Sequence, residues 1–207
     1  MKILKLLVKS IFLLFFVAIS VGMPASAAVY NLETSMNGAK ESPPNDSPGI
    51  GMGDFVLDNI SHTLTVSTTF SGLNGTTTAA HIHCCTTIPG AGTAGVATQV
   101  PTFSGFPTGV TSGTYSNTFD LTLASSFNPA FITANGGTPA TAEEALVNGI
   151  LEGRAYLNIH SNKFGGGEIR GFLSLKNDGS IPEFPTVALP VIAVIGLMFL
   201  LQRRKGI

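Results

Sequence analysis

The nine residues His62-Thr63-Leu64-Thr65-Val66-Ser67-Thr68-Thr69-Phe70 alternate in character along the chain. Leu64, Val66 and Phe70 fall on one side, and Thr63, Thr65, Ser67 and Thr69 on the other. Successive strand side chains point to opposite faces, so this is the pattern of an antiparallel strand with one face buried and one face wet. Upstream, Ala28 to Met36 and Gly51 to Leu57 read as strands, separated by a loop from Asn37 to Gly49 that contains three prolines. Gly72 to Gly75 turns the chain into a further strand around His81. Downstream, Gly113 to Leu123, Arg154 to His160 and Glu168 to Leu175 complete the strand set. Pro139 to Leu151 is the one good helix: Pro139 suits a first helical position, Thr141 and Glu144 fit a capping box, and Ala145, Leu146, Ile150 and Leu151 form an apolar stripe. Ser125 to Gly137 is irregular or a short helix. Thr86 to Val110 has no period and is too long for an ordinary connection, so it is a functional loop or hides short strands. Short strands with Gly- and Pro-rich punctuation and one short helix predict an all-β antiparallel sandwich.

Chemistry concentrates in Ala79-Ala80-His81-Ile82-His83-Cys84-Cys85. On a strand, Ala80, Ile82 and Cys84 share one face, and His81 and His83 share the other. In Ala155-Tyr156-Leu157-Asn158-Ile159-His160, Leu157 and Ile159 face one way, and Tyr156, Asn158 and His160 the other. If the apolar sides form the core, His81, His83 and His160 point away from it, beside Glu168 and Arg170.

Ala80-His81-Ile82-His83, a Gly-rich stretch, Ala155 to His160, and Gly166-Gly167-Glu168-Ile169-Arg170-Gly171-Phe172-Leu173 occur in that order. The ordered set resembles a CHRD (chordin-type) domain, over about Tyr30 to Lys176 within an expected domain at 28–178. The resemblance implies an extracellular, immunoglobulin-like all-β module. It implies no reaction and no metal role.

Both ends carry signals. Met1 to Ala27 reads as a secretory signal peptide: Lys2, Lys5 and Lys9, then the apolar run Ile11 to Ile19, then the small-residue cleavage site Ala25-Ser26-Ala27. Residues 187–201 are expected to be a transmembrane helix, followed by the basic tail 202–207, which should stay cytoplasmic. The linker 179–186 holds Pro182-Glu183-Phe184-Pro185. That motif, the apolar helix and the basic tail together resemble a PEF-CTERM signal, which implies an archaeosortase-type sorting protease as partner. The alternative is a plain C-terminal membrane anchor.

Between the signals, five basic residues face eleven acidic ones, a net charge of −6. A domain so poor in Lys and Arg does not suit nucleic acid, because phosphate contacts need cations. No nucleophile elbow or zinc-protease helix occurs. Gly165 to Gly167 leads into a strand rather than a helix, so it cradles no phosphate. Sequons at Asn45, Asn59 and Asn74 fall in expected turns, where a glycan would fit.

Two readings of the histidines stand side by side. In one, they hydrogen-bond Glu168, Asn158 or backbone groups and brace strands. In the other, His81, His83 and His160, alone or with a carboxylate, hold Zn²⁺ or Cu²⁺. Adjacent Cys84 and Cys85 form a vicinal disulfide, stay as thiols, or bind elsewhere. The expectation is an exported, surface-anchored, non-enzymatic module without a cofactor, structural or adhesive toward envelope proteins or glycans. The alternative is a metal-binding module on the three histidines. A two-metal enzyme of the superoxide dismutase kind, also a sandwich, does not suit a chain with four histidines, one of them the distant His62.

Overall fold

The computed structural model describes residues 29–176. The expected signal peptide with Ala25 and Ala27, the Pro182 to Pro185 motif, the helix at 187–201 and the basic tail lie outside the described residues. Among the described residues, no helix is long and apolar enough to cross a membrane.

Eight antiparallel strands are joined in one sheet: β1 (Val29–Asn37), β2 (Ile50–Asp58), β3 (Thr63–Ser71), β4 (Thr77–His83), β5 (Gly113–Asp120), β6 (Tyr156–Ser161), β7 (Ile169–Phe172) and β8 (Ser174–Leu175). Their order is β4-β6-β7-β1-β2-β3-β5, with β8 also on β1. Two helices, α1 (Pro129–Ala134) and α2 (Pro139–Leu151), lie between β5 and β6. The strand content and the antiparallel pairing follow the sequence pattern. Two points differ. Among the described residues a second helix, α1, stands where the sequence reads as irregular or a short helix, and the strands hydrogen-bond as one continuous sheet rather than two separate ones.

Curling of that sheet explains how one ladder makes a core. Leu32, Phe55, Leu57, Leu64 and Val66 from β1 to β3 share a single buried cluster with Ala80, Ile82, Leu157, Ile159 and Ile169 from β4, β6 and β7. The same apolar face closes on itself, with β1 linking the two halves. Gly171 permits the link, because a Cβ there would overlap the Ser35 carbonyl and the Thr34 hydroxyl. Thr34 Oγ1 instead donates to Phe172 O at 2.8 Å.

In α2, Pro139 does take the first helical position, but the capping pair is Thr138 with Thr141, not Thr141 with Glu144. The buried stripe is Ala142, Glu143, Leu146, Gly149 and Ile150, while Leu151 faces outward. Helical geometry accounts for this: 142, 146, 149 and 150 recur at three- and four-residue spacing. Glu143 is buried because it meets His62 Nδ1 at 2.9 Å, which ties the β2–β3 turn to the helix.

The long segment after β4 forms no named strand. It is held by isolated bridges, His83 to Val96 and Thr98 to Phe127 among them, and by the buried rings of Phe103 and Phe106. Core anchoring replaces periodicity there, which is why the sequence shows no pattern.

Candidate metal centre

Strands β4 and β6 pair antiparallel, with Ala79 opposite His160, His81 opposite Asn158, and His83 opposite Tyr156. Side chains alternate, so this register puts His81, His83 and His160 on the face away from the apolar cluster. That face is also buried. The three histidines are 6%, 8% and 9% exposed. One ring nitrogen from each lies within 4.8 Å of the others.

Backbone carbonyls from the segment after β4 and from the β6–β7 connection decide which nitrogens are available. His83 Nδ1 lies 2.9 Å from Ala94 O, His160 Nδ1 lies 3.0 Å from Gly165 O, and His81 Nε2 lies 2.5 Å from Pro101 O. A carbonyl oxygen only accepts, so each of these nitrogens carries the proton and donates. Neutral imidazole has one N–H and one lone pair. The lone pairs therefore sit on His83 Nε2, His160 Nε2 and His81 Nδ1. The first two face each other at 3.4 Å. The third is buried with no hydrogen-bond partner.

Burial holds all three imidazoles below their ordinary pKa of 6.5, and this outweighs the carbonyl bonds that pull each upward. His83 is pushed down to about 4, with the neighbouring histidines and Arg170 adding repulsion. At neutral pH no ring proton fills the gap between the two Nε2 atoms. Two facing Nε2 lone pairs and the unpartnered His81 Nδ1, each set by a carbonyl on the opposite ring nitrogen and all buried, match the donor pattern of a metal-binding histidine with its outer hydrogen bond. Tetrahedral Zn–N bonds of about 2.0–2.1 Å place neighbouring nitrogens about 3.3–3.4 Å apart, the spacing of His83 and His160.

The surroundings are cationic and aromatic. Tyr156 stacks on His83 with ring centroids 4.9 Å apart, and the Arg170 guanidinium sits 4.7 Å over the Tyr156 ring. Arg170 donates to Gly92 O at 2.9 Å and to Lys40 O at 2.5 Å, and it lies 3.8 Å from Glu41. Glu41 has one oxygen with no partner, and burial pushes its pKa up to about 7 in spite of Arg170.

Glu168, expected beside the histidines, is elsewhere. It accepts from Asn74 N at 2.5 Å, Gly75 N at 3.1 Å and Ser47 Oγ at 2.6 Å. Burial pushes this carboxyl up, but hydrogen bonds from Ser161, Ser47, Asn74 and Gly75 together hold it below the usual range. No carboxylate belongs to the histidine set among the described residues, so a site with a carboxylate ligand is not what the fold builds. Asn158 likewise bonds none of the histidines; its amide reaches Gly166 O. The backbone partners Ala94, Gly165 and Pro101 were invisible in the sequence, since any residue type supplies a carbonyl.

Cys84 and Cys85 are joined by a disulfide across a cis peptide bond. They sit directly after His83, and Gly149 of α2 packs against both sulfurs. Asn45 is not a free glycan acceptor in the fold: its amide nitrogen donates to Glu168 O at 3.0 Å.

Comparison with known protein families matches residues 32–173 to the CHRD domain and residues 181–205 to the PEF-CTERM archaeal protein sorting domain. The first match covers most of the chain, and the protein belongs to the CHRD-domain family. Its second match implies processing by an archaeosortase-type protease, and the pair marks an exported protein sorted to the cell surface. No curated protein and no solved structure matches the chain.

Proposed function

We propose that this exported module binds one divalent transition metal, Zn²⁺ or Cu²⁺, through His81, His83 and His160. The observation that carries the reading is the pair of Nε2 lone pairs 3.4 Å apart beside the orphaned His81 Nδ1. Leaving buried acceptors unpaired costs about 1–3 kcal/mol each. A cation that takes all three lone pairs removes that penalty. The role is one of binding rather than catalysis. The metal would also tie β4 to β6 in a chain displayed outside the cell, held at least transiently by the apolar segment at 187–201.

The test is thermal melting of the full-length protein, freed of metal, with and without added Zn²⁺ or Cu²⁺. A ligand at ~100 times its dissociation constant stabilises by ~2.7 kcal/mol, which raises the melting temperature by roughly 5–11 °C for a chain of this size. His83→Ala and His160→Ala should each abolish the shift. A melting curve of the unaltered protein that ignores both ions would refute the reading.

A second reading, structural or adhesive contact with envelope proteins or glycans, draws on the outer face of β2, β3 and β5. Exposed Met52 and Val56 adjoin a hydroxyl ladder there, with Thr65 paired to Thr118 and Ser67 to Ser116, both at 2.9 Å. Met52→Asp should weaken binding of the protein to isolated envelope if that face makes the contact. Unchanged binding would count against it.

A further inference from the structure

We propose that a metal on the three histidines keeps its fourth coordination position for a small exchangeable anion. The proposal rests on the metal reading above and concerns what completes the shell. All three ligands are neutral imidazoles, so a divalent ion keeps its full double charge. Among the described residues the set contains no carboxylate to balance it. Glu168 is engaged by the Asn74 and Gly75 amides, and Glu41 lies beside Arg170.

Arg170 makes the imbalance worse. Its guanidinium lies one aromatic ring away from His83, stacked over Tyr156, and no acidic side chain stands between. A buried dication with an added cation beside it is a costly arrangement unless a negative group enters the shell. Three protein ligands with an open fourth position is also the pattern of exchangeable rather than closed zinc sites.

An exposed stretch of chain adjoins the site. Residues 87–93 are all exposed, Gly92 among them, and Ala94 follows directly. Those two residues supply the carbonyls that hold His83 and Arg170. The chemical class is a linear or planar monovalent anion, of which azide is the convenient probe.

The experiment loads metal-free full-length protein with Co²⁺, whose visible bands report coordination, and titrates azide in chloride-free buffer at pH 8. The expected result is a saturable band shift that is lost with the cobalt bands themselves in His160→Ala. Glu41→Gln removes the negative charge beside Arg170 and should tighten azide by a few-fold, because a carboxylate that repels the anion is gone. Arg170→Gln should weaken it by a similar factor. Cobalt bands that ignore azide would overturn the proposal and leave the metal reading intact. An absence of cobalt bands would overturn the metal reading and this proposal with it. Azide affinity that does not change in Glu41→Gln would remove the charge argument.

Discussion

Gly149 offers a sharp test of how the helix, the disulfide and β4 are packed. It lies in the interior of α2, where Ala would ordinarily be better by about 0.8–1 kcal/mol. Here a Cβ would overlap the sulfurs of both Cys84 and Cys85. Two sulfurs joined to each other cannot swing aside as a flexible chain end does. Overpacking of a core costs about 1–3 kcal/mol, and overlap with two atoms belongs at the upper end. Gly149→Ala should therefore destabilise by about 2 kcal/mol net, lowering the melting temperature by roughly 4–8 °C.

In the background Cys84→Ala with Cys85→Ala the sulfurs are gone. The closest remaining neighbour is the Cβ of residue 85, at 3.3 Å, which needs to give by only a few tenths of an ångström. There the same substitution should stabilise by up to about 1 kcal/mol. The coupling between the sites would be about 3 kcal/mol, at the top of the range for touching residues. Urea unfolding of the four proteins measures it. If Gly149→Ala has the same sign in both backgrounds, the packing described for α2 is wrong.

The remaining predictions address charge and processing. Glu41 ionises near 4.5 in the unfolded chain and at about 7 in the fold. Its contribution is thus full below pH 4.5 and lost as pH rises through about 7. Glu41→Gln should gain about 3 kcal/mol on the unaltered protein between pH 4.5 and 8, read by urea unfolding; a constant difference would refute the assignment. The histidines act with the opposite sign: burial depresses all three, so their stability is present above 6.5 and lost as pH falls, for His83 through about 4. Glu168→Gln should cost about 2–3 kcal/mol, because charge-assisted bonds from Ser47 and the Asn74 and Gly75 amides are weakened at once; a loss under about 0.5 kcal/mol in a melt would show the carboxylate to be dispensable. Mature protein on cells should lack Met1 to Ala27 and the chain from about Val187 onward, and mass spectrometry that finds an intact C-terminus would favour a plain anchor.

How much of this was legible in the sequence differs by element. The alternation in β3 and the spacing within β4 and β6 show directly which histidines share a face, because strand geometry has period two. Helix α2 is legible from Pro139 and from Leu146 and Ile150, although its cap is Thr138 and the rest of its buried face is Ala142, Glu143 and Gly149. Helix α1 is not, since Pro129–Ala134 is six residues and carries too little periodicity to outweigh an irregular reading. Curling into one sheet depends on long-range pairing, such as Asn37 opposite Arg170, that no local pattern encodes. The partners that fix the imidazole tautomers are carbonyls of Ala94, Pro101 and Gly165, and a carbonyl leaves no trace in residue type. The place of Glu168 was misjudged for a related reason. It precedes β7 rather than belonging to it, so the alternation that holds for Arg170 does not extend to it.

X-ray absorption of the zinc-loaded full-length protein bears most directly on the metal centre. One zinc per chain is expected, with three imidazole nitrogens at about 2.0–2.1 Å and one exchangeable oxygen or nitrogen donor. That signal should vanish in His83→Ala. Zinc bound only through sulfur or carboxylate oxygen, or a spectrum that His83→Ala leaves unchanged, would contradict it.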